Sequence, residues 1–346
     1  MKRENAIHKL KIMCANLGYM DPPLPYAVLG PKFAEALLSV RQKITEDNIH
    51  IAMGYYNSSL KPRVSYLGNE SSEKYMLFNL YATEFISDYF IYLDREDDIA
   101  FRYLYCKQMR YKEFNYKNYD AAALYNRIYS MAEQQIKCEI HDYRKKAFAV
   151  SAFLALHEIA HHDCESISAV KRDIIAKKEE FEKLELTDLT DEEKTEIACD
   201  LIALSAFDLN NLNQGFGIGK EEMVGVSVSM ITLSYLYDLF SQLTFRNFRK
   251  ERIESIQKEL RSSLERRALA LFVMIADIQK NPRFFDDCNL EKSPDIIIKT
   301  RGFVNKIIRF YEDDWDKEVK AFKSLSEDEK DEYYLSKNTN VWVYYL

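Results

Sequence analysis

The apolar positions along this chain follow a helical period through most of its second half and a shorter, strand-like pattern near its start. From residue 121 onward, apolar residues recur every three to four positions, as one face of an amphipathic helix requires. Within this stretch, the segment from Ala147 to Ala160 is strongly apolar and rich in alanine, the best helix former. This segment therefore predicts a buried helix.

Short runs of β-branched and aromatic residues near the start of the chain predict a small sheet. The runs Ile49–Tyr56, Val64–Leu67 and Tyr75–Tyr81 are separated by turn signals such as Gly68-Asn69. A fourth run, Phe85–Leu93, fits either a strand or a helix. The whole pattern predicts an α+β fold that is predominantly helical, with a small N-terminal mixed sheet.

Length and composition limit the architecture further. The chain has 346 residues, which is enough for one large domain or two smaller ones. It contains only nine glycines and seven prolines, which argues against a loop-rich or mainly β protein. We predict an N-terminal α/β region over residues 1–120 and a helical region over residues 121–346, which can also form one continuous domain. The apolar end, Val341–Leu346, is expected to dock on the body of the protein or to bind a partner.

The net charge, the cysteines and the lack of targeting signals indicate which partners and which compartment to expect. The net charge of −7 argues against general nucleic-acid binding. The six cysteines show neither disulfide-framework nor C-x-x-C spacing, so free thiols in a reducing compartment are expected. The first residues lack the apolar core of a secretory signal, and the uncharged segment Met223–Tyr237 is too short for a confident membrane span. These features predict a cytoplasmic protein that binds neither membranes nor nucleic acid.

The predicted buried helix carries the motif His157-Glu158-x-x-His161. Histidines at i and i+4 share one helix face about one turn apart, so both can bind one metal ion. Glu158 is offset by about 100° from its neighbour on the helix, and its carboxylate can reach a metal-bound water without being a ligand. This arrangement predicts a zinc site with hydrolytic chemistry. In the alternative interpretation the motif is accidental and both histidines make ordinary hydrogen bonds.

A further ligand is expected from a second helix. Thr190 and Glu193 have the spacing of a capping box, and an apolar run follows them. Glu196 and Asp200 are four residues apart on this helix and share a face. Two histidines with one glutamate are a common ligand set for catalytic zinc, so Glu196 is the preferred ligand and Asp200 the expected hydrogen-bond partner of a ligand histidine. Two alternatives stay open: Asp200 as the ligand, or both acids on a solvated face.

Together, His157-Glu158-x-x-His161 and Glu196-x-x-x-Asp200 resemble the gluzincin class of zinc metallopeptidases, and among these the phage-exclusion (Lit-like) peptidases. The resemblance covers the two motif helices. It implies that His157, His161 and Glu196 bind Zn²⁺, that Glu158 activates water and that Asp200 supports a histidine. It also implies a zincin-like core, a protein or peptide substrate and a setting in phage defence.

The sequence thus predicts a zinc-dependent endopeptidase acting on one or a few cytosolic proteins. His162 is expected to point away from the metal. The charged segment Lys171–Glu193 is expected to be a solvated helix or an excursion between the two motif helices, and it can act as a lid. The oxyanion donor is expected among four downstream residues: Tyr235, Tyr237, Arg266 and Arg267. Two other classes remain, a zinc-binding regulatory protein without activity and a helical interaction protein.

Overall fold

The computed structural model describes the following residues: 49–54, 63–66, 74–115, 117–136, 143–183, 186, 188–207, 216–219, 222–223, 225–226, 266–267, 270–271, 273–274, 292–336 and 343–345. Over these residues the protein is predominantly helical, which confirms that part of the fold prediction. Within the same ranges, no helix is both long and apolar enough to cross a bilayer. Most of the apolar segment 223–237 lies outside them.

Along the described chain three strands come first, the helices follow, and a fourth strand comes last. The strands are β1 (Ile49–Gly54), β2 (Arg63–Tyr66), β3 (Lys74–Asn79) and β4 (Val343–Tyr345). The first helices are α1 (Leu80–Arg95), α2 (Asp98–Asn115), α3 (Tyr119–Ile136) and α4 (Arg144–Ala160). They are followed by α5 (Cys164–Ala176), α6 (Lys178–Lys183) and α7 (Asp191–Ser205). After α8 (Lys292–Arg309) come a π-helical turn (Phe310–Asp314), α9 (Trp315–Lys323) and α10 (Glu327–Asp331).

The four strands form one mixed sheet in the order β2-β3-β1-β4. Strand β1 runs parallel to β3, with Ile49 opposite Lys74, whereas β2 runs antiparallel to β3. Strand β4 lies at the other edge and pairs antiparallel with β1, with Gly54 opposite Val343. Of the apolar segment Val341–Leu346, residues Val343–Tyr345 are described, and they pair with the edge of the sheet at β1.

The run Phe85–Leu93, which fitted a strand or a helix, belongs to α1. Its aromatic rings stack along one side of the helix, with ring centroids 6.3 Å apart for Phe85 and Tyr89 and 6.2 Å apart for Tyr89 and Tyr92. Side chains three and four residues apart are neighbours on a helix surface, so this aromatic spacing supports the helix. All of these rings are buried, and α1 is a core element.

Helix α4 is buried on nearly every side, as predicted from its composition. Its residues from Ala147 to Leu156 have at most 7% exposure, which places the helix inside the core rather than on its surface. It packs against α1 on one side and α7 on another. One apolar cluster joins this region to residues from Phe85 to Phe322. The two histidines of α4 are thus held by a helix that has little freedom to move.

The charged segment between the motif helices is anchored to the core. Helix α5 begins at a cap in which the Asp163 side chain accepts a hydrogen bond from the Ser166 backbone N–H. Helix α5 then packs on α7, and the apolar side chains of Ile174, Phe181 and Leu186 are buried. The segment therefore has apolar side chains in the core as well as charged side chains in solvent, and it is not solvated on every side.

A charged cluster lies inside the helical core between α1 and α2. The Lys107 Nζ lies 2.5 Å from Glu84 Oε1 and donates to Asp88 Oδ2 at 2.7 Å, and all three side chains are at most 4% exposed. The Tyr103 hydroxyl donates to the other oxygen of Asp88 at 3.2 Å. Burial and the nearby Glu84 charge outweigh Lys107 and raise the pKa of Asp88 from 3.8 to about 6.

Candidate metal centre

His157 in the last turn of helix α4 lies beside His161, the C-cap residue of that helix. Their Nε2 atoms are 3.2 Å apart, and their ring planes are almost perpendicular. The His157 side chain is buried, at 5% exposure, whereas that of His161 is 30% exposed. The pair therefore lies at the boundary between core and solvent, where a metal ion can have protein ligands on one side and water on the other.

Helix α7 brings Glu196 to the same point. The helix begins at the predicted capping box, in which Thr190 and Glu193 each accept a backbone hydrogen bond from the other. One turn later, Glu196 Oε2 lies 3.4 Å from His157 Nε2, and Oε1 lies 3.5 Å from His161 Nε2. His157, His161 and Glu196 form a group whose ligand atoms all lie within 4.8 Å of one another.

The donor atoms of this group are close enough together to bind one metal ion. Nitrogen and oxygen ligands at about 2.0–2.1 Å in tetrahedral geometry are about 3.3–3.4 Å apart. The two Nε2 atoms are 3.2 Å apart, and they lie 3.4 and 3.5 Å from different oxygens of Glu196. Two histidines, one carboxylate and an open side are also the donor set of catalytic zinc.

Asp200 lies behind His157, on the side away from Glu196. Its Oδ1 is 2.8 Å from the Nδ1 of His157, and its side chain is almost completely buried. Burial opposes a charge on His157, but Asp200 and then Glu196 outweigh it and raise the His157 pKa from 6.5 to about 9. A carboxylate on Nδ1 leaves Nε2 free to bind a metal, which is the role predicted for Asp200.

Arg267 joins the two acids of α7. Its Nε and Nη2 donate to the two oxygens of Asp200 at 2.6 and 2.8 Å, and its Nη1 lies 3.1 Å from Glu196 Oε2. Burial would raise the pKa of Asp200, but Arg267 and His157 outweigh it and lower that pKa to about 2. For Glu196 the hydrogen bond from His157 and the Arg267 charge lower the pKa to about 2, again against burial.

The neighbouring arginine has a different environment. Arg266 pairs with Asp188 at 2.8 Å and Glu193 at 3.1 Å, at the start of α7. Both arginines were candidate oxyanion donors in the sequence analysis. The sequence cannot distinguish between them, because contacts between helices leave no local pattern. The structure places Arg267 against the acids of the site. The other two candidates, Tyr235 and Tyr237, lie outside the described residues.

Cys199 contacts the second histidine. Its Sγ lies 3.4 Å from the Nδ1 of His161, and the residue is completely buried. Burial, with the charges of Glu196 and Asp200, raises the pKa of the Cys199 thiol to about 12. Burial and the neighbouring His157 lower the pKa of His161. The position of Cys199 next to Asp200 is visible in the sequence, but no local pattern indicates its contact with His161.

The remaining motif residues lie at the edge of the group. Glu158 follows His157 on α4 and is partly exposed. His162 is partly exposed and is not a member of the donor group. The five residues predicted for the site, His157, Glu158, His161, Glu196 and Asp200, thus lie on two packed helices.

No protein-family model, curated protein sequence or solved structure matches this chain. The interpretation of the site therefore depends on its own residues and their geometry.

Proposed function

We propose that the chain is a zinc-dependent endopeptidase of the gluzincin type. The observation that carries the proposal is the convergence of His157, His161 and Glu196, whose ligand atoms lie within 4.8 Å of one another, with Glu158 on the helix that carries His157. Bound zinc would supply Lewis-acid chemistry, because it polarises a carbonyl oxygen and makes water acidic near neutral pH. The three ligands would hold Zn²⁺, and Asp200 would keep the His157 ring in its binding orientation.

Glu158 has the role of general base and acid in this proposal. A carboxylate that is partly exposed and not occupied as a ligand can take a proton from the attacking water. It can then deliver that proton to the leaving amine nitrogen. A structural zinc site has four protein ligands and no open position. Among the described residues the group has three candidate ligands, and with an adjacent acid this favours hydrolysis over a purely structural role.

The substrate proposed is an extended protein segment. Strand β2 is an edge of the sheet and contacts α4. An extended chain can add to such an edge through backbone hydrogen bonds. We propose that α4, α7 and this sheet form a zincin-like core, and that α5 and α6 restrict access to one or a few target proteins. A phage-response setting follows from the likeness to the phage-exclusion peptidases.

The test is a search for new protein N-termini in cells that produce the full chain. Wild type is compared with Glu158→Gln, which removes the base and spares the ligands. Glu165→Gln, an exposed acid on α5, is the matched control. We expect wild type and the control to generate the same new N-termini and Glu158→Gln to generate none while it keeps its zinc.

The other outcomes separate the competing functions. Equal cleavage by wild type and Glu158→Gln would show that the assigned mechanism is wrong. Zinc binding without any new N-terminus would favour a regulatory protein that binds zinc. A folded chain that takes up no zinc would favour a helical interaction protein.

A further inference from the structure

Three side chains of helix α7 face the four imidazole nitrogens of the histidine pair. Glu196 faces both Nε2 atoms, and Asp200 faces the Nδ1 of His157. The remaining nitrogen, Nδ1 of His161, is faced by the Sγ of Cys199 at 3.4 Å. Each ring therefore has Nε2 in the donor group and Nδ1 against α7.

The tautomer of His161 depends on this contact. A neutral imidazole that binds a metal through Nε2 carries its proton on Nδ1, and that N–H needs an acceptor. The sulfur of Cys199 can accept it, although sulfur is a weaker acceptor than a carboxylate oxygen. In the opposite arrangement the thiol donates to Nδ1, and the ring proton on Nε2 blocks metal binding.

We propose that Cys199 is a positioning residue that holds His161 with Nε2 toward the metal. The inference deepens the proposed function and rests on it. Asp200 supports His157 with a buried charge, whereas Cys199 supports His161 with a polarisable thiol, so the two histidines contribute unequally. The competing explanation is packing alone, because Cys199 also lies in a small apolar cluster with Ala160 and Ile167.

Two substitutions of Cys199 separate hydrogen bonding from packing. Cys199→Ser keeps a group that can accept from Nδ1, and Cys199→Val fills the volume without one. Zinc affinity of each full-length variant is measured by competition with a chelator. We expect Cys199→Val to bind zinc about 10-fold more weakly than wild type and Cys199→Ser to remain near wild type. Cys106→Val, at a second fully buried free cysteine, is the control and should leave the affinity unchanged.

If Cys199 acts only by packing, the zinc affinity of Cys199→Val should equal or exceed that of Cys199→Ser. That result would overturn the proposal. A cobalt-substituted wild type with an intense sulfur-to-metal absorption band that Cys199→Ser lacks would also overturn it, since the sulfur would then be a ligand.

The third readout is the nitrogen NMR spectrum of His161, which needs no activity. We expect the Nδ1 resonance of His161 to move in Cys199→Val and to move in no comparable way in Cys106→Val. If wild type takes up no zinc, the proposed function fails. The Nδ1 resonance would still show whether Cys199 contacts His161. An unchanged Nδ1 resonance in Cys199→Val would contradict the positioning role.

Discussion

His157 and Asp200 lie on different helices, and the Nδ1 of His157 approaches the Oδ1 of Asp200 to 2.8 Å. This contact joins α4 to α7 at the point where Glu196 meets both histidines. Asp200 is in turn held by two hydrogen bonds from Arg267. The donor group is therefore supported by a buried series of contacts that runs from His157 through Asp200 to Arg267.

Arg267 should be essential to the stability of this region. Removing one member of a buried ion pair leaves the other charge uncompensated, so Arg267→Ala should lower the free energy of unfolding by about 3–5 kcal/mol. Arg266→Ala is the matched control, because its partner Asp188 is exposed and exposed pairs contribute little. Chemical denaturation of both variants measures the difference. Equal losses would mean that Arg267 does not stabilise Asp200 as described.

The capping box of α7 should affect zinc as well as folding. Thr190→Ala should cost about 1 kcal/mol of stability and weaken zinc binding, because the helix that carries Glu196 would fray at its start. Ser326 forms an equivalent capping box on α10, away from the donor group. Ser326→Ala should leave zinc affinity unchanged. Denaturation and chelator competition on the two variants test this, and a similar affinity for both would break the link between the cap and the site.

The buried Glu84–Asp88–Lys107 cluster should make stability depend on pH. The pKa of Asp88 is raised from 3.8 to about 6, so the folded state holds this proton more tightly than the unfolded chain does. The stability that it contributes is present below about pH 3.8 and is lost as the pH rises through about 6. Over that pH range, the free energy of unfolding of wild type should fall by on the order of 1–3 kcal/mol relative to that of Asp88→Asn.

Lys107→Met tests the same cluster from the cationic side. It leaves two buried carboxylates without their shared cation, and it should destabilise the protein more than Asp88→Asn does at pH 7. Unfolding free energies across pH 4 to 8 provide both comparisons. A parallel pH profile for wild type and Asp88→Asn would show that Asp88 does not titrate in this range.

The donor group was accessible from sequence because its spacing is a property of the helix. Residues four apart share a face wherever the helix lies, which aligns His157 with His161 and Glu196 with Asp200. The capping box at Thr190 also marked where the second helix begins. The packing of α4 on α7 has no local signal, so the sequence could name the residues but not their distances.

Other features depended on contacts that no local pattern encodes. Aromatic and β-branched residues left Phe85–Leu93 ambiguous until its rings were seen to stack along α1. Strand β4 pairs with β1 across nearly the whole chain, and three residues are too few for a periodic signal. Lys107 would be expected at the surface, and its burial follows only from the two acids beside it.

The central claim, that His157, His161 and Glu196 form one zinc site, is tested most directly by the zinc content of the purified full chain. Elemental analysis of untagged protein should find about one zinc per molecule in wild type and in the control Glu192→Gln, an exposed acid one turn earlier on α7. Glu196→Gln should lose the metal, and Asp200→Asn should retain it with about 10- to 100-fold lower affinity. A folded wild type that takes up no added zinc, or a Glu196→Gln variant that holds it as tightly as wild type, would contradict the account.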